Sequence, residues 1–282
     1  SGKPNPILML IRIATIFILS LVLIGCATNP VTGRSQFMLI SEEEAISASS
    51  EAYVKMLAPL DEDGKIDSDP AMAARVNQIT AKLIAQAILF RPETEDWEWR
   101  VKVIDEPETV NAFCMAGGKM AIYSGLILKL QASDDEIAQV MGHEIAHALS
   151  AHTAEQMSIA MATSLAVTTF AITNDHPGVA LAGASLAAAL AIKLPNSRTA
   201  ESESDVIGIE LAAKAGYDPN AAVSLWRKMG ESSGNDSEFD FFSTHPAPNK
   251  RMEELGKLVP KMMPYYQQKG PRPVYPLKSG DE

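Results

Sequence analysis

The stretch "MGHEIAHALSAH", from Met141 to His152, holds three of the five histidines in this 282-residue chain. Before it, Ser133 is followed three positions later by Glu136, a pairing typical of the capping box that starts a helix. We therefore predict a helix from Asp134 to about Ser150. His143 and His147 are four positions apart, so they lie on one face of that helix and can offer two imidazole nitrogens to one metal ion.

The acid inside this motif points away from the histidine face. Glu144 is turned about 100° around the helix axis from His143, which suits a general base that takes a proton from the attacking water better than a third ligand. His152 lies about 140° off that face and is left out of the ligand set. The alternative is a helix that binds no metal. A metzincin is excluded, because Ser150 and Thr153 occupy its Gly and last His positions.

A third ligand has to come from elsewhere, because a catalytic zinc takes three protein ligands and keeps one position open. The stretch "SRTAESESDVIGIELAAKAGYDP", Ser197 to Pro219, predicts a second helix. On it Glu201 and Asp205 share a face, while Glu203 points nearly opposite. We predict that Glu201 is the ligand and that Asp205 holds a ligand imidazole in one tautomer. On spacing alone, the alternative is a solvated acidic face.

Composition limits the function classes. The chain is 46% hydrophobic and 21% charged, which is typical of a globular protein. Its net charge of -11 argues against nucleic acid as a partner, since there is no basic stripe to replace phosphate counterions. The only cysteines are Cys26 and Cys114, which excludes a thiolate metal site.

The N-terminal residues 1–25 have the pattern of a signal peptide. Lys3 and Arg12 precede the apolar run "IATIFILSLVLIG", which is too short for a full membrane span. The sequence "LIGC", ending at Cys26, resembles the bacterial lipobox, and this resemblance implies that Cys26 carries a lipid. An uncleaved anchor helix over residues 7–24 is the alternative.

The remaining pattern predicts an α+β fold, mostly helical with a small antiparallel or mixed sheet. Helices are predicted from Ser41 to about Leu57, from Ala71 to about Phe90, and over most of the chain after Ser133. The predicted strands are Trp97–Val103, Val110–Met115 and Lys119–Tyr123, and Gly117-Gly118 forms the turn between the last two.

We divide the chain into four parts: a signal peptide (1–25), an extended lead from the lipid anchor (26–40), a catalytic domain (41–265) and a flexible tail (266–282). Two apolar stretches, 157–172 and 178–192, are too short for typical transmembrane helices. They are either buried helices or a hairpin that rests on lipid or covers the site.

Three further motifs carry a family resemblance: "NPVTG" at Asn29, "SRTAESESD" followed by "AGYDP", and "THPAPNKR" at Thr244. Together with HEIAH they resemble the HtpX and CAAX prenyl protease family of zinc peptidases, in particular its bacterial lipoprotein branch. The resemblance implies a zincin-type domain with one Zn²⁺ per chain, held by His143, His147 and Glu201. Too few residues follow His245 for the helical-repeat domain of some members.

The same resemblance suggests roles for two other segments. "NAFCMAGG" is similar to the family's edge strand, so Asn111, Ala112 and Phe113 would bind a peptide substrate by strand addition; an ordinary buried hairpin is the alternative. Pro246 and Pro248 predict an extended loop that presents His245. This histidine either donates to the oxyanion or occupies the open zinc position as a latch, which we favour; otherwise it only packs or caps.

These features predict a membrane-tethered zinc endopeptidase of the bacterial cell envelope that acts on misfolded or stalled envelope proteins. Glu144 would be its general base. The lipid would place it on the periplasmic side, and Ala27 after the lipid cysteine favours the outer membrane. The alternative function is an envelope chaperone or binding lipoprotein whose protease activity is latched and rarely used.

Overall fold

The computed structural model describes residues 26–173, 196–232, 240–245 and 250–277. Its helices are α1 (Glu42–Glu62), α2 (Pro70–Phe90), α3 (Ser124–Lys129), α4 (Asp134–Leu149), α5 (His152–Thr173), α6 (Arg198–Lys214), α7 (Asn220–Ser232), α8 (Asp240–Thr244) and α9 (Arg251–Tyr266). Its strands are β1 (Cys26–Thr28), β2 (Ser35–Phe37), β3 (Arg100–Ile104), β4 (Ala112–Met115) and β5 (Lys119–Tyr123). The predicted α+β class, mostly helical with small sheets, is confirmed.

The capping signals place the helix starts correctly. Ser133 accepts a hydrogen bond from the backbone N–H of Glu136, and the Glu136 carboxylate accepts one from the backbone N–H of Ser133. The same reciprocal pair links Ser41 and Glu44 at the start of α1. The first helix ends later than predicted, at Glu62 rather than near Leu57.

The main sheet is mixed, in the order β3-β5-β4. β4 and β5 form the predicted antiparallel hairpin, and β3 runs parallel to β5. Gly117 and Gly118 both have a φ of 77°, a left-handed conformation that favours glycine in this turn. The strand predicted from Trp97 begins at Arg100, because a 3-10 turn over Pro92–Asp96 occupies the preceding chain.

Helix α4 is the centre of the core, with residues 136–149 all buried. It packs most extensively on α6, and the two helices touch backbone to backbone where Gly142 faces Gly208. A Cβ atom on Gly142 would lie 2.8 Å from the Gly208 carbonyl oxygen, and one on Gly208 would lie 2.7 Å from the His143 nitrogen. This close crossing brings the acids of α6 beside the histidines of α4.

Residues 26–40 do not form the extended lead that was predicted. β1 and β2 pair as an antiparallel hairpin, with Cys26 opposite Phe37. The side chains of Asn29 and Gln36 are buried, and both donate hydrogen bonds to the carbonyl oxygen of Ser150 just past the end of α4. The turn residues Asn-Pro and Thr-Gly therefore fold the segment back onto the domain.

The C-terminal segment also contacts the domain where it is described. Arg272 donates hydrogen bonds to three carbonyl oxygens around the end of α9, and the backbone N–H of Tyr275 donates to Ala81 in α2. Two residues of the predicted tail, Arg272 and Tyr275, thus contact the domain through hydrogen bonds.

Several predictions concern residues outside the described ranges. These are the signal peptide (1–25), the apolar stretch 178–192 and the four residues after His245. The apolar stretch 157–172 belongs to α5. No helix within the described ranges combines the length and apolar character needed to cross a membrane.

Candidate metal centre

Four buried side chains converge between α4, α6 and α8. His143 and His147 lie one turn apart on α4, with their Nε2 atoms 3.1 Å apart. Glu201 on α6 places Oε2 3.4 Å from Nε2 of His143 and Oε1 3.3 Å from Nε2 of His147. Nδ1 of His245 is 3.0 Å from Oε1 of Glu201. One ligand atom from each of the four lies within 4.8 Å of the others, a grouping that can hold a metal ion.

His245 reaches this cluster from the end of a helix. Its backbone N–H donates to the carbonyl oxygen of Phe241, and its ring stacks on that of Phe241 with centroids 4.4 Å apart. The prediction of an extended loop presenting His245 was wrong on this point, because α8 continues to Thr244 and the prolines come only after it. The helix and the aromatic stack hold the imidazole.

Glu144 lies beside the cluster and is 3% exposed. Among the described residues, no group forms a hydrogen bond with its Oε1 atom; the nearest ionisable partner is Nε2 of His245 at 3.5 Å. Burial raises the pKa of Glu144, and the negative charge of Glu201 adds to this effect. A buried carboxylate with an unused oxygen and a raised pKa has the properties of a general base.

Asp205 and Arg251 surround the ligands. Oδ1 of Asp205 is 3.1 Å from Nδ1 of His143, as expected for an acid that fixes the ring's tautomer. Arg251 donates to Oε2 of Glu201 at 2.8 Å and to Oδ1 of Asp205, and its guanidinium lies 3.8 Å from the centroid of the Trp226 ring. The sequence reasoning did not assign Arg251 to the site, although it ends the motif that begins with Thr244 and His245.

The charges of the site fit a divalent cation. Glu144, Glu201 and Asp205 place three carboxylates around the ligand histidines, and Arg251 pairs with Glu201 and Asp205. Burial and Arg251 lower the pKa of His143, but Asp205 and Glu201 outweigh them and raise it to about 9. The site thus favours positive charge at the position where the histidines and Glu201 meet.

A second hydrogen-bonded chain leads away from His147. Its Nδ1 atom is 2.9 Å from Nδ1 of His152, and Nε2 of His152 is 2.9 Å from Oε2 of Glu203. Neither His152 nor Glu203 belongs to the four-residue cluster. Their link to His147 was missed because α4 ends at Leu149, and Ala151, with a left-handed φ of 53°, interrupts the helical geometry before His152.

The residues predicted to bind substrate lie at the edge of the sheet. β4 is one of the two edge strands of the described three-stranded sheet and packs against α4. Asn111 precedes the strand, and its side-chain oxygen accepts from the backbone N–H of Ala112. Phe113 is half-buried and packs edge-on against Tyr53.

Known proteins resemble the chain along most of its length. The sequence model described as Peptidase family M48 matches residues 70–259. Mitochondrial metalloendopeptidase OMA1 of Saccharomyces cerevisiae is 30% identical over 85% of this chain and 70% of its own length. OMA1 of Arabidopsis thaliana is 34% identical over 77% of this chain and 44% of its own. The putative beta-barrel assembly-enhancing protease of Vibrio cholerae is 29% identical over 72% of this chain and 42% of its own.

The chain therefore spans less than half the length of the last two relatives. These relatives include mitochondrial and bacterial proteins, and all three are named as proteases. The predicted metalloprotease activity is confirmed by this family match. By its HExxH helix and by the match over residues 70–259, the chain is a metallopeptidase that belongs to peptidase family M48.

Proposed function

We propose that this chain is a zinc endopeptidase that is tethered to a membrane of the bacterial cell envelope and cleaves misfolded or stalled envelope proteins. The observation that carries the proposal is the convergence of His143, His147 and Glu201, with Glu144 buried beside them. Two imidazoles and a carboxylate are the donor set of many catalytic zinc sites.

The metal is proposed to be a single Zn²⁺. When bound, zinc supplies Lewis acidity, which polarises a carbonyl and activates water at neutral pH. The histidines and Glu201 hold it, and Glu144 takes the proton of the attacking water. Asp205 fixes the ring of His143, and Arg251 holds the two carboxylates of α6 in place.

We assign His245 the role of a latch. Its Nδ1 atom already lies among the ligand atoms, where an imidazole can fill the fourth position and exclude water until substrate displaces it. Donation to the oxyanion is the other role for the same side chain. The contact between Nδ1 and Glu201 favours the latch, because it directs the ring to the ligands in the substrate-free chain.

The substrate is proposed to bind as an added strand along β4. The edge position of β4, its packing on α4 and the half-buried Asn111 and Phe113 support this placement. Main-chain hydrogen bonds would then provide affinity with little dependence on substrate sequence, which suits an enzyme that acts on unfolded segments.

Lipid attachment at Cys26 is proposed from "LIGC" and the short apolar run before it. The lipid would hold the enzyme on the periplasmic side, at the outer membrane. The Vibrio cholerae relative is named for enhancing beta-barrel assembly, which supports envelope proteins as the substrate class. Mass spectrometry of the N-terminal peptide should show an acylated Cys26; an unmodified peptide that retains residues 1–25 would refute the anchor.

Substrate trapping tests the function. Glu144→Gln should retain substrates without cleaving them, so the proteins captured with it should be envelope proteins that the parent degrades. Casein cleavage by the parent separates the peptidase from the alternative, a chaperone or binding lipoprotein latched by His245. If the proteins captured by Glu144→Gln remain intact when they are incubated with the active parent, that result would favour the alternative.

A further inference from the structure

The ring of His147 faces two environments. Its Nε2 atom lies among the proposed ligands, 3.3 Å from Oε1 of Glu201. Its Nδ1 atom faces the opposite way and is 2.9 Å from Nδ1 of His152. Both histidines are buried. Two ring nitrogens at this distance share one hydrogen, so one of them donates and the other accepts.

The direction of that hydrogen bond follows from the next contact. Nε2 of His152 is 2.9 Å from Oε2 of Glu203, and a carboxylate can only accept. With one hydrogen on each ring, His152 carries it on Nε2 and accepts at Nδ1. His147 must then donate from Nδ1, which leaves the lone pair of its Nε2 directed at the metal position.

Glu203 is in turn held by the hairpin of β1 and β2, residues 26–37. Thr32 donates its hydroxyl to Oε1 of Glu203 at 2.7 Å, and Nε of Arg34 lies 3.0 Å from the same oxygen. Three donors, from His152, Thr32 and Arg34, therefore surround this carboxylate. Arg34 also pairs with Glu155 at 2.7 Å.

The hairpin also fixes the turn that separates the two histidines. Asn29 and Gln36 donate to the carbonyl oxygen of Ser150 at 3.2 and 2.9 Å. The same segment thus contacts both the break between α4 and α5, just before His152, and the carboxylate that orients His152.

We propose that His152 and Glu203 are positioning residues that set the tautomer of His147. Through Thr32 and Arg34, the hairpin of residues 26–37 then makes the site's affinity for a divalent cation depend on its contact with Glu203. This inference rests on the proposed metal site. Ligand histidines usually donate their second ring nitrogen to an acid or a carbonyl, and here an imidazole relays that contact to an acid.

Zinc affinity of the full chain tests the proposal, measured by competition with a coloured chelator. His152→Ala and Glu203→Ala should each raise the zinc Kd by about 10-fold to 100-fold. His152→Asn should recover part of the loss, because its amide oxygen can still accept from His147. Arg34→Met should also raise the zinc Kd. The matched control is Glu210→Ala, which removes an acid from α6 whose ion-pair partner, within the described part of the chain, is Lys214.

A structural role alone would leave the metal's surroundings unchanged, so the second readout is the visible absorption spectrum of the Co²⁺-substituted chain. We expect the Co²⁺ bands to shift in His152→Ala and Glu203→Ala and to match the parent in Glu210→Ala. If circular dichroism shows that His152→Ala is unfolded, the same measurements on Glu203→Ala and Arg34→Met test the proposal.

Zinc affinities within twofold of Glu210→Ala, with unchanged Co²⁺ spectra, would overturn the inference while leaving the metal site intact. A parent chain that binds neither Zn²⁺ nor Co²⁺ would remove the proposed metal site as well, so the two failures are distinguishable.

Discussion

The two nitrogens of His143 contact two acids that are one helical turn apart on α6: Nδ1 is 3.1 Å from Asp205, and Nε2 is 3.4 Å from Glu201. The imidazole thus lies between Asp205, which orients it, and Glu201, which is proposed to bind the same metal ion. The Gly142–Gly208 crossing makes this arrangement possible, because any larger side chain there would push α6 away from α4.

Asp205→Ala should therefore raise the zinc Kd by about 10-fold to 100-fold, the usual cost of removing a partner that orients a ligand. Glu201→Ala should lose more zinc affinity than Asp205→Ala, because this substitution removes a metal ligand. Chelator competition measures both. Equal zinc affinity in Asp205→Ala and the parent would remove Asp205 from the site.

Glu144→Gln should keep zinc and lose activity. The amide matches the carboxylate in size but cannot accept the proton, so casein hydrolysis should fall by about 10²-fold to 10⁴-fold at unchanged zinc content. Glu210→Gln, the same exchange at the surface of α6, should hydrolyse casein like the parent. Full activity in Glu144→Gln would refute the assigned base.

Arg251→Met should destabilise the metal-free protein by about 3–5 kcal/mol, since it leaves buried carboxylates without their cation. Arg251→Lys should not restore the loss, because a single ammonium cannot bridge Glu201 and Asp205 as a guanidinium does. Adding zinc should restore part of the free energy of unfolding that Arg251→Met loses. Urea unfolding with and without chelator measures these differences.

The control for that series is Arg75→Met, which breaks a more exposed pair with Asp134 and should cost less than about 1 kcal/mol. A similar loss in both variants would mean that Arg251 has no special electrostatic role.

His245→Ala should raise the rate of casein cleavage if the latch is correct. As an oxyanion donor, its loss would instead lower kcat by about 10²-fold to 10³-fold. His245→Phe is the second variant, because it can keep the stack on Phe241 while removing the ring nitrogens. Rates at or below the parent's in both variants, at equal zinc content, would exclude the latch.

A pH-dependent stability test addresses the ion pair between the buried Glu136 of α4 and the partly exposed Lys228 of α7. Burial raises the pKa of Glu136, but Lys228 and Ser224 lower it below its ordinary 4.5. Because the folded carboxyl group binds its proton more weakly, its stabilisation is complete above 4.5 and is lost as the pH falls through the lowered pKa.

Glu136→Gln should therefore cost about 1–3 kcal/mol at neutral pH, and the difference from the parent should shrink below pH 4.5. Urea unfolding of both chains across this range is the measurement. A difference that grows on acidification would contradict the assignment of Glu136 as the responsible group.

Local patterns predicted the helix and hairpin of the site, because capping boxes, glycine turns and an i, i+4 histidine pair act within a few residues. The contacts of Arg251 and of the N-terminal hairpin could not be predicted in this way, since they depend on how distant segments pack. His152 shows the limit of helical geometry. Its angle was calculated for a helix that continues, whereas the helix ends at Leu149 and Ala151 has a left-handed φ of 53°.

The central claim is that His143, His147 and Glu201 hold one zinc ion that is needed for cleavage. The most direct measurement is the zinc content per folded chain, by plasma mass spectrometry after dialysis, in the parent, Glu144→Gln and Glu201→Ala. The account predicts close to one zinc in the first two and almost none in Glu201→Ala, with all three folded by circular dichroism. A parent without zinc, or a Glu201→Ala chain with as much zinc as the parent, would contradict it.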